Sequence, residues 1–159
     1  MSIQKVRDYL EPLGIADRIR EFEDSSATVE LAAQAVGVEG ARIAKSLSFK
    51  VEDHPILVVA AGDAKIDNPR YKAQFHTKAK MLTFEEAHTL IGHDVGGVCP
   101  FALSEDVKVY LDISLRRFET VFPAAGNDHS AIELTCGELE QYASNFVQWV
   151  DVCKAWQEA

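Results

Sequence analysis

The sequence predicts an α+β fold built on a mixed, curled sheet of about six to seven strands with four or five peripheral helices. Three observations predict it. Strand and helix patterns alternate irregularly along the 159 residues, without the strict strand–helix repeat of a doubly wound fold. Ile56 to Ala61 is an unbroken apolar run, the mark of a strand buried on both faces. Just before it, Ala44 to Val51 reads as a strand with Lys45, Leu47, Phe49 and Val51 on one face and Ser46, Ser48 and Lys50 on the other. With a turn at Asp53-His54-Pro55, the two segments are placed to form a hairpin at the sheet centre.

The remaining elements follow in order. Ile3, Val6 and Leu10 make one stripe of a first helix, Ser2 to Leu10, with Pro12 beyond its end. A short strand is expected around Arg18 to Phe22. The polar stretch Ser25 to Thr28 opens a helix from Val29 to Val36, whose small alanine face suits close packing and which stops at Gly37. A short turn follows at Gly40 to Ile43. Asn68 as N-cap and Pro69 at the first position start a helix that runs to Phe75. Thr83 and Glu86 form a capping box for a helix ending near Ile91, with Gly92 after it. Strands are expected at Val107 to Leu111, Arg117 to Phe122, His129 to Leu134 and Phe146 to Val152. Thr135 and Glu138 cap a helix to Ala143.

Composition narrows the function classes. At 159 residues and 47% hydrophobic, one domain over 1–159 can bury a sizeable core. A net charge of −9 argues against bulk binding of nucleic acid, though not against a local basic patch. Three cysteines with no Cys-x-x-Cys pair read as reduced thiols in a cytoplasmic protein. The N-terminus lacks the apolar core of a signal peptide, and no apolar run approaches the length of a membrane span.

The chemistry centres on Asp94 to Leu103, the stretch Asp-Val-Gly-Gly-Val-Cys-Pro-Phe-Ala-Leu. Gly96 and Gly97 permit close approach of a ligand to the backbone, Val98 and Cys99 give a small apolar lining, and Pro100 stiffens the loop. This suits a cradle of backbone N–H groups for a carbonyl or phosphate oxygen, although from the loop alone a tight turn between two strands is the favoured reading. Lys45 stands on the face of Leu47 and Phe49, either snorkelling from a strand end or presenting its ammonium at the mouth of a pocket. Asp128-His129-Ser130 holds the residue types of a triad, but neighbours on a strand point to opposite faces, which excludes a relay. Cys99 has no base near it in sequence and reads as lining rather than nucleophile. His88 and His93 are poorly spaced for a metal, and there is no phosphate-loop or dinucleotide glycine pattern, so no metal or cofactor is expected. Lys65, Arg70, Lys72, Lys78 and Lys80 form a basic run that is either a polyanion surface or a solvated helix face, diluted by Asp63 and Asp67.

Taken together, Thr28 to Ala33, Gly37-Val38, Ala44 to Leu47, Gly62-Asp63, Gly92 to Phe101, Val109 to Asp112, Ala125-Gly126 and Ile132 to Leu134 resemble the YbaK/EbsC, or prolyl-tRNA editing, domains. The resemblance spans nearly the whole chain, and Lys45 with the Gly96–Pro100 loop is its most specific part. It implies a barrel-like mixed sheet and hydrolysis of the ester joining a wrong amino acid to the 3′ end of a tRNA, most simply tRNA(Pro) carrying Ala, Cys or Ser. It also implies that Lys45 faces the site, that the Gly96, Gly97 and Pro100 backbone contacts the aminoacyl group or terminal adenosine, and that a polar group at Asn127 to His129 lies opposite. Val98, Cys99 and Phe101 are expected to line a small pocket that selects sterically, and the basic run to meet the tRNA. The partners implied are aminoacyl-tRNA and prolyl-tRNA synthetase, with no membrane. No appended domain is evident, which favours a free-standing enzyme acting in trans. The alternative is a non-catalytic module that binds an aminoacyl-adenosine-like ligand, a tRNA or a synthetase; a third is hydrolysis of another small ester or thioester in the same pocket.

Overall fold

The apolar run becomes the most deeply buried strand of the molecule. In the computed structural model, which describes residues 2–93 and 96–156, Leu57 to Ala61 are wholly inaccessible to solvent. Asp94 and Val95 of the glycine loop lie outside the described residues. The strands are β1 (Arg20–Glu21), β2 (Ile43–Val51), β3 (His54–Ala61), β4 (Lys65–Ile66), β5 (Lys108–Asp112), β6 (Thr120–Pro123), β7 (Ser130–Ala131), β8 (Leu134–Thr135), β9 (Phe146–Val150) and β10 (Cys153–Lys154). The helices are α1 (Ser2–Leu10), α2 (Val29–Val36), α3 (Asn68–Phe75), α4 (Phe84–Glu86, continued with π geometry over Ala87–Ile91) and α5 (Cys136–Tyr142).

Among the described residues the largest sheet has six strands in the order β8-β6-β2-β3-β5-β9. Its centre is the expected antiparallel hairpin, with Lys45 opposite Ala60 and Phe49 opposite Ile56. β6 adds to β2, β5 to β3 and β9 to β5, all parallel, while β8 returns antiparallel to β6. The sheet is therefore mixed, as the irregular alternation of elements predicts. Two short antiparallel pairs, β1–β7 and β10–β4, lie outside it.

The helices form where local chemistry predicts. Val6 and Leu10 of α1 are fully buried. α2 is capped by Thr28, whose side chain accepts from the Leu31 amide, and ends at Gly37 in the left-handed region. Its alanine face packs Ala32 and Ala33 against Ile43 and Phe122, with Val29 and Val36 alongside. α4 and α5 both carry the complete capping box, at Thr83/Glu86 and Thr135/Glu138.

Three expectations are corrected. The N-cap of α3 is Asp67, not Asn68; the Asp67 carboxylate accepts from the Arg70 amide, and Asn68 and Pro69 occupy the first turn. The strand expected over Arg117 to Phe122 begins only at Thr120, because Ile113–Arg117 winds into a 3-10 helix started by the Asp112 carboxylate accepting from Ser114 N. The strand expected over His129 to Leu134 is divided. Ser130–Ala131 pairs with β1, and Leu134–Thr135 pairs with β6, so one apolar run serves two sheets.

Candidate functional site

β2 is the floor of the site. A cavity of about 310 Å³ opens against it, bounded by the N-terminal end of α2 and the residues leading to it (Ser26 to Val29), by Met81 to Phe84, by Gly96 and Val98, and by Ala124, Ser130 and Ala131. Ala32, Ile43, Ala87 and Phe122 complete apolar walls. The volume lies at the lower end of the range of small-molecule sites, roughly 300–1,000 Å³.

Lys45 lines this cavity. Its ammonium donates to the carbonyl oxygens of Gly62, at 3.4 Å, and Ala64, beyond the end of β3. An ammonium has three donors, so these bonds leave one for a further acceptor. Burial lowers the Lys45 pKa from its ordinary value, and the nearby Asp63 and Glu30 carboxylates act in the opposite direction. Serines on the alternate face of β2 also reach the cavity. The Ser46 hydroxyl is buried there with no hydrogen-bond partner in the protein.

Three loops close the mouth, and backbone contacts fix them to one another. Ser26 N donates to Asp128 O at 2.5 Å, and Phe22 N to His129 O at 2.8 Å. Gly96 has φ of +100°, a region that favours glycine. A Cβ on Gly97 would lie 2.6 Å from Asn127 Cα and 2.6 Å from the Gly126 carbonyl oxygen. Gly97 is thus required by close backbone packing, and it stands behind Gly96 rather than on the cavity wall. The 124–130 loop is held internally by Ser130, whose hydroxyl accepts from Ala125 N at 3.2 Å and lies 3.4 Å from Asn127 O.

The structure brings Lys45, Gly96 and Val98 together on the cavity and leaves the other expected residues off it. Cys99 and Phe101 are fully buried in the core, which corrects their expected place in the lining. Phe101 meets Tyr9 of α1 in a tilted ring contact, centroids 6.5 Å apart. Pro100 anchors the loop from behind, its carbonyl accepting from Ser144 N at 2.7 Å. Asn127 Oδ1 accepts from the His129 amide at 3.1 Å, and His129 Nδ1 lies 3.0 Å from Asp128 Oδ1; neither Asn127 nor His129 lines the cavity. A base does approach Cys99: His93 Nε2 is 3.6 Å from its sulfur. The same nitrogen lies 2.8 Å from the Phe101 carbonyl, to which only an N–H can be directed, so it does not accept the thiol proton. Burial pushes the Cys99 thiol up to about 12. In the basic run, Arg70 is engaged by Asp151 at 2.9 Å, whereas Lys65, Lys72, Lys78 and Lys80 are exposed. Ser26, Thr28, Ser46, Met81 and Phe84 were not singled out by sequence as site residues. The serine-bearing face of Ala44 to Val51 was the one signal for Ser46; the others reach the cavity from distant segments.

The fold and site thus define a curled mixed-sheet domain with a small, mostly apolar cavity, one lysine on its floor and a glycine loop at its mouth. Residues 23–142 match the family model for the aminoacyl-tRNA editing domain, and the chain belongs to that family. The resemblance to YbaK/EbsC domains read from the motifs is thereby borne out. The chain is 53% identical to the uncharacterized protein YwhH of Bacillus subtilis, over 99% of this chain and all of that one. It is 24% identical to EbsC of Enterococcus faecalis, described as a candidate Cys-tRNA(Pro)/Cys-tRNA(Cys) deacylase, over 71% of this chain and 70% of the relative. A solved structure described as a candidate trans-editing enzyme for prolyl tRNA synthetase superposes with a TM-score of 0.86 at 29% identity, covering 96% of this chain and 97% of that one. Among the described residues, no helix is long and apolar enough to cross a membrane.

Proposed function

We propose that this protein is a trans-acting aminoacyl-tRNA deacylase that hydrolyses the ester of mischarged tRNA, with tRNA(Pro) carrying alanine, cysteine or serine as its substrate. The observation that carries this reading is the cavity itself, in an editing-domain chain: Lys45 on the floor, Gly96 and Val98 at the mouth, and a volume of about 310 Å³. The likeness to a structure described as a candidate trans-editing enzyme supports action in trans.

An aminoacyl ester is already activated, so the site needs no strong nucleophile of its own. Water adds to the ester carbonyl, the carbonyl oxygen takes negative charge, and collapse releases the amino acid and the ribose hydroxyl, which regains a proton. On this reading the Gly96 backbone and the remaining donor of Lys45 stabilise the developing charge or an adjacent phosphate. The Ser46 hydroxyl supplies a further polar contact inside an otherwise apolar wall. Val29, Ala32, Ile43 and Phe122 restrict the space for the side chain. Differences of one methylene yield about 10- to 200-fold discrimination by binding, the margin within which such a pocket works. Exposed Lys65, Lys72, Lys78 and Lys80 would meet the tRNA, and the cytoplasm, where charged tRNA and prolyl-tRNA synthetase reside, is the compartment this reading assigns.

The test is deacylation of tRNA(Pro) charged separately with alanine, cysteine, serine and proline, with wild type beside Lys45→Ala. Hydrolysis of at least one small amino acid, sparing of proline and a loss of about 100-fold in the variant are expected. Turnover that survives Lys45→Ala removes the lysine from the mechanism. A folded protein that binds charged tRNA and hydrolyses none of it is a binding module instead.

A further inference from the structure

The two most solvent-exposed large apolar side chains of the described residues stand three positions apart in sequence, and both line the cavity. Phe84 is 78% exposed and Met81 63% exposed. Water gains nothing from either, and neither packs into the core clusters. Their backbone is nonetheless fixed. Residues 80–82 lie along the edge of β2, with Lys50 N donating to Lys80 O at 2.9 Å and Leu82 N to Ser48 O at 3.1 Å. Thr83 and Glu86 close the capping box around Phe84, and Glu86 is ion-paired with Lys50 of β2. The chain just before this pair carries exposed Lys78 and Lys80.

An aromatic side chain exposed to water on a fixed backbone, a second exposed apolar side chain on the same rim and exposed cations just before them in the chain are the parts of a stacking site for a nucleobase with its phosphates. We infer that Phe84 and Met81 form a platform for the terminal purine base of the tRNA, adjoining the cavity that receives its aminoacyl ester. The inference rests on the deacylase reading and names the part of the substrate outside the acyl pocket. Charge selects this occupant: the cations at 78 and 80 suit a phosphate chain and oppose a second copy of this chain presenting the same rim.

The test uses the full chain and a 5′-fluorescein-labelled ribo-oligonucleotide ending in cytidine-cytidine-adenosine, beside one with an abasic 3′ residue, read by anisotropy. Stacking of one base changes affinity by a factor of roughly 5 to 150. Wild type is expected to bind the abasic oligonucleotide more weakly by a factor in that range. Phe84→Ala and Phe84→Leu are expected to lose the same factor on the intact oligonucleotide and little on the abasic one, and Phe84→Trp to retain it. Equal binding of both oligonucleotides by wild type, no binding of either, or unchanged binding by Phe84→Ala overturns the platform. So does a self-association seen in sedimentation that Phe84→Ala abolishes while oligonucleotide affinity is unchanged. Deacylation of charged tRNA by wild type, measured in parallel, tests the underlying reading separately: turnover with no base dependence rejects the platform alone.

Discussion

Lys45 is kept at a cost to the fold. Burial lowers its pKa, so the unfolded chain binds that proton more tightly than the folded one. The charged lysine therefore subtracts from stability at neutral pH, and the penalty fades as pH rises through its lowered pKa toward 10.5, its unperturbed value. Replacing it with methionine is expected to raise the melting temperature at pH 7, with the gain over wild type narrowing toward pH 10.5; thermal denaturation across that range checks it. Gly97 makes the opposite case, a residue whose absence of a side chain is structural. Gly97→Ala places a Cβ against the Gly126 and Asn127 backbone. Overpacking of this kind costs about 1–3 kcal/mol, and the displaced loop is expected to cut deacylation at least about tenfold, measured by turnover and urea unfolding side by side. Lys45 was legible in the sequence as a cation on an apolar face; Gly97 was marked by its place in a glycine pair, but for the approach of a ligand rather than for this packing. The burial of Cys99 and Phe101 was not legible. Alternation tells which side chains diverge along a strand, but the 96–103 segment is a loop, and its inward side is set by Tyr9 and Ser144, which belong to remote parts of the chain.

Helices proved more readable than strands because their signals are local. The Thr135 and Glu138 pair is three residues apart, and each side chain satisfies the other's backbone amide, at 3.0 Å in both directions. Glu138 also receives Arg18 at 2.7 Å, tying α5 to the chain before β1. Thr135→Ala is expected to cost about 0.5–2 kcal/mol, read as a lower urea midpoint with an unchanged slope. The division of residues 129–134 between β7 and β8 had no such local mark, because strand identity depends on partners, and β1 and β6 lie far apart in sequence. The shift of the N-cap from Asn68 to Asp67 is a matter of one position between two equally able acceptors.

The mixed sheet could be inferred from the order of elements alone, since a central antiparallel hairpin flanked by parallel additions accounts for the irregular alternation. The charge of the molecule also bears on the proposed function. With a net charge of −9, a tRNA substrate as proposed would have to be attracted by a few exposed lysines rather than by the whole surface. Lys65, Lys72, Lys78 and Lys80 facing phosphates would give a slope of about −3 in log affinity against log salt. Filter binding of charged tRNA(Pro) between low and physiological salt measures it. A slope near zero would mean that the tRNA body is not held by these groups.

The hairpin has a further consequence, for the order in which the chain folds. β2 and β3 are neighbours and can pair early, so the floor of the cavity is a product of local contacts. Its walls are not: Ile43 pairs with Phe122, and Gly97 rests on Asn127. Loop closure over such separations is slow, which places completion of the cavity near the end of folding. A chain that has formed its hairpin but not yet recruited its rim therefore carries Lys45 without a binding site around it. Substrate, by holding the late-arriving loops together, would slow the first step of unfolding more than it hastens the first step of folding.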